Sequence, residues 1–163
     1  MAATVTWYDY TSTNGGVETE TTNANLMSTD AHDSGTDYQS NPIPVPSSGT
    51  NYSYERIVRV KWTGSYNNID TVKFWKSAGT FSDAHLALNA GTDSSVSTPT
   101  DSASSVATSA IPTAEGSALS VTVSGASPNT VTHYIYLQLE VPNTVTTPGE
   151  ISEQTLTLKY NEY

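Results

Sequence analysis

Three histidines, His32, His85 and His133, are the imidazole groups this sequence has for acid–base work. His133 falls on the apolar side of an alternating run, where a hydrogen-bonded core or edge histidine is the ordinary use of the residue. No Gly-x-Ser-x-Gly elbow, His-Glu-x-x-His helix or glycine-rich phosphate loop occurs, so the specific signatures of serine hydrolases, zinc peptidases and nucleotide binders are missing. Paired carboxylates would suffice for glycoside hydrolysis, but their separation is three-dimensional and nothing here selects a pair. The chain holds no cysteine, which removes disulfides, thiolate metal sites and a thiol nucleophile. It reads as non-enzymatic and cofactor-free.

One stretch invites a metal. In STDAHDSGTDY, Asp30, Asp33 and Asp37 gather near His32 and Gly35, and clustered carboxylates in a loop can hold calcium through oxygen. The spacing departs from Asp-x-Asp-x-Asp-Gly. Asp, Ser and Gly are also turn formers, so a solvated loop is the preferred reading and no metal is assigned.

Aromatic and basic residues offer binding chemistry instead. Tyr10, Tyr66, Trp75, Tyr134 and Tyr136 on one flat β-face would suit a sugar-binding module, yet Tyr and Trp equally anchor protein interfaces or pack across strands. Arg56, Arg59, Lys61, Lys73 and Lys76 fall in one stretch, with only Lys159 elsewhere. Their plainest role is guarding strand edges. As candidate interface residues the sequence nominates Arg59, Lys61, Lys73, Tyr134 and Tyr136.

The elements that would position these groups are strands. The chain has 163 residues, the size of one domain, and Ser and Thr supply roughly three residues in ten. Period-two alternation runs through 4–10, through 52–62 (Tyr54, Arg56, Val58, Val60 and Trp62 against Arg59 and Lys61), and through 69–76. The intervening TGSYNN makes the second and third of these a hairpin, with Arg59, Lys61 and Lys73 outward on adjacent strands. Val131, His133, Ile135, Leu137, Leu139 and Val141 alternate with Thr132, Tyr134, Tyr136, Gln138 and Glu140. Leu156, Leu158 and Tyr160 alternate in the last strand, Leu119, Val121 and Val123 in a weaker one, and 84–89 adds another.

The expectation is an all-β protein, a single antiparallel β-sandwich of Ig-like or jelly-roll type. Two polar segments, 11–51 (with NPIPVP) and 90–118, exceed ordinary loops and read as extended arms that reach over neighbouring subunits. A formal charge of −10 argues against a nucleic-acid partner. No run approaches a spanning helix, and MAATVTWYDY lacks the pattern of a signal peptide, so neither a membrane nor export is expected.

The phrases SYERIVRVKWTG, IDTVKFWKSAG, the stretch with TPT and AIPTA, VTHYIYLQLEV and TPGEISEQTLTLKYNEY follow one another in a recognisable order. Over most of residues 41–163 the chain resembles small β-sandwich virion proteins of tailed bacteriophages, of the head decoration (cement), neck or baseplate-associated kind. The resemblance implies an assembly protein made in the host cytoplasm and located on the virion. Its implied partners are the major capsid protein or other virion subunits, with a homo-oligomer, trimer or dimer, expected. A decoration protein is the preferred reading, a tail, neck or baseplate module the nearest alternative, and a carbohydrate-binding module the alternative of another class.

Overall fold

The structure is a computed structural model, described for residues 2–10, 17–22, 41–149 and 151–163. Its strands are β1 (Thr4–Tyr10), β2 (Glu18–Glu20), β3 (Thr50–Tyr52), β4 (Arg56–Thr63), β5 (Ile69–Ala78), β6 (Ala87–Asp93), β7 (Ser109–Ala110), β8 (Leu119–Ser120), β9 (Val123–Ser124), β10 (Thr130–Thr132), β11 (Tyr134–Pro142) and β12 (Thr155–Glu162). A 3-10 turn spans Glu115–Ser117, and no α-helix occurs among the described residues. All strand pairs are antiparallel. The larger sheet runs β2-β1-β4-β11-β6-β7, with β3 against β11 and β9-β10 beside β4; the smaller runs β12-β5-β8.

The two sheets face each other across one main core, so the chain is the antiparallel β-sandwich its alternation predicts. Val58, Val60 and Trp62 of β4, Ile135 and Leu137 of β11 and Leu88 of β6 meet Ile69, Val72 and Phe74 of β5. Leu156, Leu158 and Tyr160 of β12 pack against the same core and remain partly exposed. Ring contacts tie the layers: Trp62 meets Tyr160 edge-on at 5.2 Å between centroids, and Trp7 meets Phe74 at 6.3 Å.

The expected hairpin of β4 and β5 does not form. The two strands lie in different sheets, and residues 64–68 carry the chain across the sandwich. Tyr66 secures this crossing: its buried hydroxyl donates to Trp62 O at 3.1 Å and accepts from Thr130 N at 2.8 Å. The arrangement is that of a tyrosine corner. Alternation reports which side of a strand is apolar, and strands facing across a core look the same in sequence as strands paired within a sheet.

Two bulges also break the predicted alternation. Pairing of β10 with β4 matches Val131 to Lys61, whereas pairing of β11 with β4 matches Ile135 to Val58. The residue numbers of each pair sum to 192 before the break and 193 after it, so one extra residue enters near His133. Val131 therefore shares the outward face with Lys61, and Ile135 the inward face with Val58. In β5, Thr71 adopts a positive φ of 53° without being glycine, and the shift lets Ile69 and Val72, three apart, both turn inward.

The second polar segment is no arm. β6 continues to Asp93, and residues 94–108 form a strap folded over the outward face of the chain's own larger sheet. Gln138, fully buried, holds it: Nε2 donates to Ser102 O at 2.8 Å and Oε1 accepts from Ser104 N at 2.9 Å, while a second bond from Nε2, to Ser53 O at 2.9 Å, ties the same amide to the segment before β4. Tyr136 Oη accepts from Ser97 N at 2.9 Å, and Ala107 packs against Ile57 and Tyr136. A Cβ at Gly91 would sit 1.9 Å from Val106 O, so only glycine lets the strap approach this closely. Of the segment 11–51, residues 11–16 and 23–40 lie outside the described residues; β2 pairs with β1, β3 pairs with β11, and Ile43 packs beside Leu86, Leu139 and Val141.

Candidate interaction face

The outward face of the larger sheet carries four of the five nominated residues, and three of them, Arg59, Lys61 and Tyr134, meet there. On β4, Arg59 and Lys61 point outward because Val58, Val60 and Trp62 take the inward positions. Register places Tyr8 of β1 opposite Arg59 and Tyr10 opposite Ile57, while β2 sets Glu18 opposite Tyr10.

A single network results. Arg59 Nη1 lies 3.2 Å from Glu18 Oε1, and Lys61 Nζ pairs with Glu18 Oε2. Arg59 Nε donates to Thr132 O at 2.9 Å, and Nη1 donates to Tyr134 Oη at 3.1 Å. Its guanidinium carbon sits 4.6 Å from the Tyr134 ring centroid, and Lys61 Nζ lies 4.1 Å from that of Tyr8. Tyr10 meets Tyr134 edge-on at 6.2 Å. Side-chain exposures of 21% for Arg59, 29% for Lys61 and 14% for Glu18 mean that these charges are only partly solvated, where ion pairs and cation–π contacts exceed their surface strength.

The other two nominated residues do not join this network. Lys73 is on β5 in the opposite sheet, across from Lys159 and Ser120, so no basic hairpin exists. Tyr136 is on the same face as Arg59 but is buried beneath the strap. Among the remaining aromatics, Trp75 lies on the smaller sheet and Tyr66 is buried at the crossing, so the five rings do not form one platform. Arg56 is buried, and Lys76 Nζ donates to Gly79 O at 2.6 Å and Gln154 Oε1 at 3.1 Å.

Sequence reasoning passed over Glu18 and Tyr8, whose roles depend on register with β4. It also passed over Asp83, which ties the loop after β5 to the loop after β11. Asp83 is buried; Oδ1 accepts from His85 N at 2.9 Å and lies 2.7 Å from His85 Nδ1, while Oδ2 accepts from Thr146 N at 2.7 Å and Thr147 N at 3.0 Å. Backbone donation from His85 and Thr146, with the His85 ring, holds this carboxyl far below the ordinary aspartate range. His85 is thus engaged as a latch partner, and His133 sits half-buried at the bulge. Asp30, His32, Asp33 and Asp37 lie outside the described residues, and no group of three metal-ligating side chains forms among the described ones.

Two shallow surface depressions accompany these features, one of about 410 Å³ beside Tyr52 and Asp101 and one of about 520 Å³ beside Tyr66 and Tyr163. Neither adjoins the Arg59 network. Comparison with models of known protein families, with characterised proteins and with solved structures finds no match. No helix among the described residues is long and apolar enough to cross a membrane.

Proposed function

We propose that this chain is a non-enzymatic structural subunit of a phage virion, a head decoration protein that stabilises the shell through contacts between subunits. The observation that carries the proposal is the half-buried face of Tyr8, Tyr10, Arg59, Lys61 and Tyr134. Tyr and Arg are the side chains that supply most binding energy when a partner covers them, and here packing and hydrogen bonds already restrict them. Little further rotamer entropy would be lost on docking. The resemblance to small phage virion sandwiches supplies the setting, and a tail, neck or baseplate position uses the same face.

The sugar-binding alternative asks for free ring faces. On Tyr8 and Tyr134 one ring face each is occupied by Lys61 and Arg59, which favours a protein partner. Because the chain is strongly acidic overall, the partly exposed pair Arg59 and Lys61, two cations against the single carboxylate of Glu18, would steer this face onto an acidic neighbour. Charge reversal at both Arg59 and Lys61 is the test. The double variant, confirmed as folded by circular dichroism, should lose occupancy on particles, while the wild type weakens with rising salt. Undiminished occupancy would leave these residues as internal supports and remove the face from the proposal.

A further inference from the structure

The smaller sheet ends on an eight-residue strand, β12, and among the described residues no strand pairs with its outer edge. At about 3.4 Å per residue the open edge is about 27 Å long. Such an edge carries a row of unpaired backbone donors and acceptors and is ordinarily defended by prolines, bulges or outward lysines.

Of these defences β12 carries a single lysine. It contains no proline. Its two register irregularities against β5 put the extra residue on β5: Asp70 to Lys73 advances three positions while Asn161 to Lys159 advances two, and Lys76 to Ala78 advances two while Leu156 to Thr155 advances one. β12 itself therefore runs straight. Its one lysine, Lys159, is drawn away from the open side, because Nζ is held 2.5 Å from Glu115 Oε1 on the 3-10 turn that packs on β5. Glu115 is correspondingly more acidic than an ordinary glutamate, first through that hydrogen bond and then through the charge of Lys159.

We infer that β12 pairs antiparallel with β12 of a second copy, joining the two smaller sheets into one six-stranded sheet about a twofold axis. Residues opposite one another across such a pair must share a face, so the two residue numbers must sum to an even value. Centring on Leu158 sets Leu158 against itself, Leu156 against Tyr160, Thr157 against Lys159 and Thr155 against Asn161. The half-exposed inward row of Leu156, Leu158 and Tyr160 then continues across the seam. Glu162 falls opposite Gln154, so no like charges are directly opposed. Centring on Lys159 would oppose the two lysines. The surface is self-complementary, as a twofold dimer requires. This pairing stands on strand geometry alone and does not depend on the virion assignment.

The test is light scattering of the full chain over a concentration series, together with two variants. The expected mass is about 35 kDa, twice 17.4 kDa. Leu158→Cys, in a chain otherwise free of cysteine, should form a disulfide-linked dimer on mild oxidation, and Thr155→Cys should not. Thr157→Lys places lysines opposite each other twice and should weaken the dimer about tenfold, less so at high salt. Hydrogen exchange on the unmodified chain provides a measurement free of folding effects: alternate amides of residues 155–161 should become protected as concentration rises. A monomer throughout, a trimer, or a dimer whose β12 amides exchange independently of concentration would overturn the inference.

Discussion

Arg59 and Tyr134 are joined twice, by a guanidinium carbon 4.6 Å from the ring centroid and by a hydrogen bond of 3.1 Å from Nη1 to the phenolic oxygen. The contact crosses from β4 to the first residue of β11, just past the bulge at His133, and a third bond from Nε reaches Thr132 O on the other side of that bulge. One side chain therefore spans the break between β10 and β11 and orients the outward ring.

Replacing Arg59 by alanine should cost about 1–3 kcal/mol, from the lost charged hydrogen bonds and cation–π contact. Arg59→Lys should recover only part of this, because an ammonium cannot reach Thr132 O and Tyr134 Oη together. Chemical denaturation of the two variants checks the order. Equal stability of lysine and alanine variants with wild type would show that the face is an unstructured surface.

Gly91 is the clearest packing constraint. Gly91→Ala should destabilise the protein by about 3 kcal/mol, since the new methyl meets the backbone of Val106 and not the tip of a flexible side chain. Limited proteolysis should then cut within 94–108, which resists cleavage in the wild type while Gln138 and Tyr136 hold it.

The Asp83 latch gives a pH dependence of defined sign. In the unfolded chain this carboxyl titrates near its ordinary value of 3.8, and in the folded protein it titrates well below that. Folding stability from the latch is therefore complete above about pH 4 and falls as pH drops from there through the folded value, because only the unfolded chain takes up the proton in that window. Thermal melts from pH 6 to pH 2 should show a decline that Asp83→Asn, with a lower melting temperature at pH 6, largely lacks. An identical slope in both proteins would assign the acid sensitivity to other carboxylates.

The fold was legible wherever alternation was uninterrupted. β1, β4 and β12 follow their periods, and the sandwich class follows from the number of such runs. Pairing was not legible, since Trp62 and Tyr160 meet across the core in the same apolar pattern that a hairpin would show. The bulges at Thr71 and His133 left no mark in residue type, and they shift the faces of Ile69 and Val131 relative to the rest of their runs. The strap looked like an arm because its attachment runs from the side chains of Gln138, Tyr136 and Glu55 to backbone groups of the strap, and composition carries no record of such bonds. Of the candidate face, Arg59, Lys61 and Tyr134 were readable from position on their strands; Glu18 and Tyr8 were not, because cross-strand register brings them there.

The most direct test of the virion proposal is co-sedimentation of the purified chain with isolated phage heads lacking it, followed by heating of the loaded and bare shells. A ligand that binds only the assembled state must stabilise it. The chain is expected to sediment with heads and to raise the temperature at which they come apart. A chain that stays in the supernatant with heads and tails alike, and is instead retarded on a polysaccharide gel, would contradict it.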